Sequence, residues 1–375
     1  MSTTTTTVRA PTFSGAAWLH NRNWDLIWIS LSVLLVTTPY LAYLGLQRLP
    51  ALMGPLAETF GTNTDDLARN LVNATVALLI GGPHMYATFT RTALDRGFAG
   101  KHSKLLWSSL IIPVVVTSLA LFNLTLLLTI FFFWASVHVL HQIIYIVELY
   151  NRRQRSSLSI FSRFADYGVV LTALYPLAAW KIANGTFSIG TNNLSAEISK
   201  FLPLGPWMYY LAGSAFTLAL AAWIFKSVRE YQQGKLHWPK TIFIALTVTA
   251  SFFVPALGNL DTAFQGMNVW HSLQYLALTW MLNRLRQQRG ELQTSPFVDR
   301  LSNEGSARRY YLFNIGLTVA DALLAVVILA ILLFIFNRSF DYAFDRAYYI
   351  AVLSILWIHY YHDHFLFSDP SVIES

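Results

Sequence analysis

Apolar residues are grouped along the chain into ten long segments, which alternate with shorter polar segments. Each apolar segment approaches the length of about 20 residues that an α-helix needs to cross a bilayer core. The pattern therefore predicts an all-α fold, a polytopic transmembrane bundle of about ten spanning helices. The predicted spans are Leu26–Leu46, Leu67–Thr88, Leu105–Phe122, Leu124–Tyr150, Phe164–Ile182, Pro206–Ile224, Thr241–Leu257, Ala263–Leu282, Tyr311–Phe336 and Ala347–Tyr361.

The distribution of basic residues predicts how these helices are oriented. With the N-terminus placed in the cytoplasm, 20 of the 26 lysines and arginines lie in cytoplasmic segments and 6 in external loops. Cytoplasmic loops of membrane proteins carry such an excess of Lys and Arg. The sequence thus predicts two cytoplasmic termini, a disordered polar tail at residues 1–20, one transmembrane domain at residues 21–366 and a short cytoplasmic tail at residues 367–375.

Composition restricts the class of protein further. Hydrophobic residues make up 55% of the chain and charged residues 12%, about half the charged fraction of a soluble domain. The net charge of +7 lies mostly in short loops, which fits the membrane orientation and not a nucleic-acid partner. The absence of cysteine excludes disulfides, iron–sulfur clusters and thiolate-bound metals. We expect a multi-pass protein of a bacterial inner membrane or a thylakoid-like membrane.

Histidines and acids interrupt four of the apolar segments on the predicted cytoplasmic side. Residues three or four positions apart share one face of a helix, so these polar groups form stripes toward the bundle interior. The stripe of the fourth span consists of His138, His141, Gln142, Tyr145 and Glu148. The eighth span carries Asp261, Gln265, Asn268, His271 and Tyr275, and the tenth carries His359, His362 and Asp363. In the second span, His84 follows a Gly-Gly-Pro break.

Ionisable residues inside a membrane are costly and usually mark a functional site. Imidazole binds iron, copper and zinc, and carboxylates ligate or orient the imidazoles. The predicted metal ligands are His84, His138, His141, His271, His359 and His362. The predicted catalytic groups are Tyr145, Glu148 and Asp363, while Asp25 and Asp166 are further candidates for ligating or orienting. We expect one or two non-haem iron ions, with haem b, copper and zinc as alternatives.

Two resemblances to known families rest on these motifs. The histidine spacing is similar to that of membrane histidine-box oxygenases, although the single HxxH steps at His138/His141 and His359/His362 depart from their tight clusters. Gly81-Gly82-Pro83-His84 resembles the Gly-x-Pro-His element of the bacteriorhodopsin-related membrane β-carotene cleavage dioxygenases. His138, His141 and His271 correspond to that family's later histidines. The resemblance implies a non-haem iron site that acts on a carotenoid or another polyene.

The sequence therefore predicts a membrane-bound, metal-dependent oxidoreductase, a non-haem iron oxygenase that acts on a hydrophobic lipid, carotenoid or isoprenoid. The expected partners are membrane lipids, the hydrophobic substrate and an electron-donor protein on the cytoplasmic side. Three alternatives remain open. They are a transporter or proton-coupled carrier that uses the His/Asp/Glu cluster, a b-type cytochrome with bis-histidine haem, and a zinc hydrolase, although the chain has no HExxH motif.

Overall fold

A computed structural model describes residues 18–59, 62–153, 158–189 and 192–368 of the chain. Most of the predicted N-terminal tail and residues 369–375 of the predicted C-terminal tail lie outside these ranges. In chain order the elements are α1 (Arg22–Gln47), α2 (Pro50–Thr59), α3 (residues 64–90), α4 (Arg96–Lys101), α5 (Ser103–Phe122), α6 (Leu124–Arg153), α7 (Ile160–Thr172), α8 (Tyr175–Ala183), the strands β1 (Ser188–Ile189) and β2 (Asn192–Asn193), α9 (Leu194–Ile198), α10 (Trp207–Gln232), α11 (Trp238–Ala256), α12 (Leu260–Gln288), α13 (Pro296–Leu301), α14 (Ala307–Ile335) and α15 (Phe340–Leu366).

The prediction of a helical bundle is confirmed. All ten predicted segments are helical, and the strands form only a short antiparallel hairpin. Among the described residues, six helices are long and apolar enough to cross a membrane, namely α1, α5, α6, α10, α11 and α14. Three of the other long helices, α3, α12 and α15, carry the histidine and acid stripes, which lower their mean hydropathy. The chain is a membrane protein by this measure.

Two predicted boundaries differ from the structure. The fifth predicted span is not one helix, because α7 ends at Thr172 and α8 begins at Tyr175. Pro176 explains the break, since proline lacks the N–H that would continue the hydrogen-bond ladder. The tenth helix begins at Phe340, seven residues before the predicted start at Ala347. Polar residues such as Asp345 and Arg346 lower the hydropathy of this first part of α15, so the apolar segment that was predicted from the sequence begins later.

Helices α6 and α12 form the centre of the bundle. Their aromatic side chains Tyr145, Tyr150, Trp270 and Tyr275 are among the largest fully buried groups of the described residues. By contrast, only 11% of the most apolar window of α10 and of α14 is buried, against 44% for α6. The central helices therefore hold the interior, and α10 and α14 cover it from the outside.

A buried ion network joins α7, α10 and α11. The Asp166 carboxylate accepts hydrogen bonds from Lys226 Nζ and pairs with Lys240 Nζ, both at 2.9 Å, and all three side chains are buried. Lys226 also pairs with Glu230 at 3.1 Å, one turn along α10. A buried carboxylate is tolerated when cations and hydrogen bonds surround it. This network accounts for Asp166 as a structural group.

Close backbone approach also fixes the helix positions. A Cβ atom added to Gly266 of α12 would overlap the Val36 carbonyl oxygen of α1. A Cβ added to Gly82 of α3 would overlap the Thr318 side chain of α14. Because glycine has no side chain, the helices meet more closely at these points than any other residue allows.

Two glycine substitutions test the α1–α12 contact. Gly266→Ala is expected to force the helices apart and to cost about 1–3 kcal/mol through overpacking. Gly316→Ala on α14 is the matched control, because a Cβ there meets nothing within 4 Å and alanine stabilises a helix by about 0.5–1 kcal/mol. The apparent melting temperatures in detergent should fall for the first variant and hold or rise for the second. Equal melting temperatures for the two variants would contradict the contact.

Candidate metal centre

Helix α3 is distorted immediately before His84. The helix widens into a π-helical turn at Ala77–Gly81, and the next turn contains Pro83. Proline cannot donate to the carbonyl four residues earlier, which belongs to Leu79. The Tyr311 hydroxyl of α14 donates to this carbonyl instead. A neighbouring helix therefore supplies the hydrogen bond that the Leu79 carbonyl oxygen lacks. The distorted helix directs His84 into the interior, where the side chain is 2% exposed.

Helices α6 and α12 present their histidines toward each other. His138 Nε2 lies 3.2 Å from His271 Nε2. Gln142, one turn beyond His138, donates to the His271 carbonyl oxygen at 3.1 Å. Gln274 continues the link by donating to the Ile29 carbonyl oxygen of α1 at 2.6 Å. These buried amides fix the rotation of α12 relative to α6, and with it the position of the two imidazoles.

Helix α15 completes the centre with His359 and Asp363, which share one face because they are four residues apart. The Asp363 Oδ2 atom lies 3.5 Å from His359 Nε2 and 3.9 Å from His138 Nε2. Both side chains are fully buried. Among the described residues, no lysine or arginine lies within ion-pair distance of this carboxylate.

Four imidazoles from four helices thus surround one point. The ring centroid of His84 lies 5.1 Å from that of His271 and 4.7 Å from that of His359. The His138 ring lies 4.9 Å from His271 and 4.8 Å from His359. The ligand atoms of His84, His271 and His359 lie within 4.8 Å of one another, and so do those of His138, His359 and Asp363. We call His84, His138, His271, His359 and Asp363 the histidine centre.

The polar atoms at this point fit a bound cation. In the described part of the chain, His84 Nε2, His359 Nε2 and Asp363 Oδ2 are buried without a hydrogen-bond partner. A buried carboxylate and buried imidazole lone pairs are costly unless a cation or a donor satisfies them. Two nitrogens that each bind a metal ion at about 2.1 Å lie about 3 Å apart, which is close to the His138–His271 separation. The donor set therefore suits a metal ion.

Hydrogen bonds behind the centre fix two of the imidazoles. His84 Nδ1 donates to the Gly81 carbonyl oxygen, which leaves the Nε2 lone pair available. His359 Nδ1 bonds to Thr88 Oγ1, and Thr88 in turn donates to Asp363 Oδ1 at 3.1 Å. Tyr275 donates to the same carboxylate oxygen at 2.7 Å and lies 2.6 Å from Thr88 Oγ1. Thr88 and Tyr275 thus position His359 and Asp363.

Several predicted site residues lie outside the histidine centre. His141 lies against His364, with ring centroids 5.4 Å apart, and His362 Nδ1 lies 3.2 Å from Thr92 Oγ1. The Tyr145 ring stacks on Phe367 at 5.0 Å. The Glu148 carboxylate accepts from Asn151 at 2.8 Å, and Arg163 lies 3.8 Å away. The centre brings together four of the six predicted ligands and one of the three predicted catalytic groups.

One other acid and one other histidine have separate structural roles. Asp25 accepts backbone hydrogen bonds from Leu19 and His20 and the Tyr150 hydroxyl, so it does not reach the centre. His237 precedes α11 and its Nδ1 accepts the Lys240 backbone N–H. Burial and the nearby Lys240 ammonium lower the pKa of His237 to about 4, which keeps its imidazole neutral.

Sequence reasoning missed Thr88 and gave Tyr275 no role at the site. Threonine at a helix end carries no chemical signal of its own, because it is common in transmembrane helices. Tyr275 lies four residues from His271 on the predicted stripe, and this spacing was the available signal. Both side chains are buried, and both touch Asp363.

An apolar cavity lies directly beside the centre. Its volume is about 450 Å³, and His84, His271 and Tyr360 are among the residues that line it. A second cavity of about 250 Å³, whose lining is almost wholly apolar, shares the wall residues Phe132, Val139, Phe264 and Met267 with the first. Cavities of this size accept small organic ligands. The centre therefore faces a hydrophobic binding space.

No family model, no curated protein and no solved structure matches the chain. The functional assignment therefore rests on the geometry of the histidine centre and of the cavity beside it.

Substitution of Thr88 tests the positioning network. Thr88→Val keeps the shape of the side chain but removes the oxygen that links His359 to Asp363, so metal affinity is expected to fall about 10- to 100-fold. Competition between the purified protein and a chelator for Fe(II) measures this affinity. Thr75→Val is the matched control, because Thr75 is exposed and bonds only to the Leu71 carbonyl of its own helix. Equal affinities in both variants would refute the role of Thr88.

Proposed function

We propose that this protein is a multi-pass membrane metalloenzyme, a non-haem iron oxygenase that acts on a hydrophobic lipid, carotenoid or isoprenoid. One observation carries the proposal: four buried imidazoles and one buried carboxylate converge at one point, and two of these imidazoles, those of His84 and His271, line an apolar cavity. A structural hydrogen-bond network would not need unpaired nitrogen and carboxylate atoms aimed at one point. A metal ion beside a hydrophobic space is the arrangement that oxidation of an apolar molecule requires.

The donor set favours iron over the other metals considered. Neutral imidazoles with one carboxylate match the ligands of non-haem iron, whereas structural zinc sites usually have four closed positions. His84, His138, His271, His359 and Asp363 would hold the ion. Bound iron would supply the redox chemistry that activates dioxygen.

The remaining groups would orient and shield the reaction. Tyr275 and Thr88 hold Asp363 Oδ1, so that Oδ2 faces the imidazoles of His359 and His138. Tyr360 stacks on His138 at 4.1 Å and also lines the cavity, so it separates the centre from the apolar space on that side. Phe131, Phe264 and Leu356 line the cavity and exclude water from it.

The resemblance to the β-carotene cleavage dioxygenases is part of the proposal. His84, His138 and His271, three of the histidines that carry the resemblance, lie in the histidine centre. His141, the fourth, does not. A polyene substrate would fit the elongated apolar space, and an electron-donor protein at the cytoplasmic side remains a prediction for a reaction that consumes external electrons.

The crowding of the rings argues against a bis-histidine haem. A porphyrin needs a flat slot between its two axial imidazoles. Here the His138 and His271 nitrogens are 3.2 Å apart, and His84 and His359 occupy the flanks. The transporter alternative predicts polar groups along a path to both membrane faces. The buried histidines and Asp363 instead form one compact cluster, which favours a fixed metal site.

Elemental analysis and histidine substitution test the assignment. The detergent-purified protein is expected to contain one or two equivalents of iron and no Soret band. His138→Ala and His271→Ala should each abolish iron binding, because each removes a ligand from the buried set. His364→Ala is the control, since His364 is an exposed residue that pairs with His141 outside the centre. Full iron retention in both ligand variants, or a Soret band in the native protein, would overturn the proposal.

We also propose that all ten long helical segments cross the membrane and that both termini are cytoplasmic. The support is the excess of Lys and Arg on one side and the helicity of all ten predicted segments. The segments beyond the six most apolar helices are α3, the α7–α8 pair, α12 and α15, and three of these carry the histidine centre. Their polar side chains face the bundle interior, so hydropathy alone underestimates the ability of these segments to cross the membrane.

Cysteine labelling distinguishes ten spans from six, since the native chain has no cysteine that would react. Thr294→Cys lies after α12, so ten spans place it in the cytoplasm and six spans place it outside. Asn184→Cys lies after α8 and is external in both arrangements. In intact cells an impermeant maleimide should label Asn184→Cys alone, and Thr294→Cys only after permeabilisation. Labelling of Thr294→Cys in intact cells would refute the ten-span topology.

A further inference from the structure

The larger cavity has a polar side in addition to the histidines that line it. Helix α14 contributes Asp321, whose side chain is 7% exposed and lines the cavity. Asp261 also lines it, but Asp261 pairs with Arg69 at 3.4 Å. No lysine or arginine lines the cavity, and the described residues give Asp321 no ion pair and no hydrogen bond. A buried carboxyl group without a partner is costly, so a ligand that supplies a donor would be held there.

The position of Asp321 relative to the histidines follows from the packing of α3 on α14. Thr318 of α14 lies against Gly82 of α3. Asp321 is three residues beyond Thr318 on α14, and His84 is two residues beyond Gly82 on α3. Both side chains line the larger cavity. One elongated ligand can therefore contact both groups.

The cavity is long and opens sideways. Asp261 and His271 both line it and are ten residues apart on α12, so it extends over about 15 Å. Leu78 of α3, Val326 of α14 and Phe344 of α15 also line it, and their side chains are 40%, 60% and 48% exposed. These are apolar positions within or at the ends of long helices. The opening therefore faces the surface that lipid would cover.

We infer that the cavity selects a neutral, long-chain alcohol, a hydroxylated isoprenoid or lipid whose hydroxyl group donates to Asp321 while its apolar chain passes the histidine centre. A hydrocarbon would leave the carboxyl group unpaired, and a fatty acid would place a second carboxylate beside it. Both costs oppose binding. This inference rests on the proposed function, because it names the substrate class of the same site.

A matched ligand series tests the inference. Parinaric acid, its alcohol and its methyl ester share one fluorescent tetraene chain and differ only in the end group. Binding to the iron-free protein in phosphatidylcholine nanodiscs is measured by energy transfer from tryptophan, with empty nanodiscs as the blank. The alcohol is expected to bind about tenfold more tightly than the ester, because only the alcohol can donate a hydrogen bond to the carboxylate. The acid should bind most weakly.

Three variants locate the effect. Asp321→Leu should remove the preference for the alcohol over the ester, and Asp321→Asn should reduce it and strengthen binding of the acid about tenfold. Asp299→Asn is the matched control, because Asp299 lies in the short helix α13 and does not line the cavity. Size-exclusion profiles and iron content, recorded for each variant, show that the fold and the histidine centre are intact.

The outcomes separate this inference from the proposed function. An unchanged ranking in Asp321→Leu, or tightest binding of the acid to the native protein, would overturn the role of Asp321 even if iron is present. The predicted ranking in a protein that binds no iron would support the alcohol site and refute the oxygenase. Loss of all tetraene binding in folded Asp321 variants would also overturn the inference, because Asp321→Asn is expected to bind the acid more tightly.

Discussion

The structure depends on one electrostatic constraint, the burial of the Asp363 carboxylate among four imidazoles. A carboxylate in a low-dielectric interior must be matched by positive charge or by hydrogen bonds. Tyr275 and Thr88 satisfy one oxygen, and the second oxygen faces only histidines. Four helices must keep their relative rotation for this arrangement to persist. The buried amides of Gln142 and Gln274 and the glycine contact at Gly266 preserve that rotation.

The same principle explains why the other buried acids have other roles. Asp166 is neutralised by Lys226 and Lys240, and Asp25 is enclosed by backbone N–H groups and a tyrosine hydroxyl. Each of these carboxylates is matched within the protein itself. Asp363 and Asp321 are the exceptions, since Asp363 lies in the histidine centre and Asp321 lies in the wall of the cavity. We propose both as functional positions, because their carboxyl groups have incomplete partners among the described residues.

The sequence was sufficient to predict where the helices lie and that the histidine stripes face the bundle interior, because hydrophobic periodicity indicates which helix face is buried. It could not separate His138 from His141 or His359 from His362. Residues three positions apart differ by about 60° around a helix, and packing decides which of the two faces the centre. The partners of Asp166, Lys226 and Lys240, come from distant segments, so no local pattern could reveal that this acid is already paired. Thr88 acts only through atoms of α12 and α15, which explains why it was missed.

The lateral position of the cavity opening, at Leu78 and Val326, has a kinetic consequence. A substrate that arrives through the side of the bundle never passes through water, so its supply is set by its mole fraction among the lipids. Dilution of the bilayer with inert lipid would then slow turnover even when the total amount of substrate in the sample is constant. The natural unit of the Michaelis constant for such a protein is a surface density, and saturation measured in detergent micelles would follow the detergent concentration.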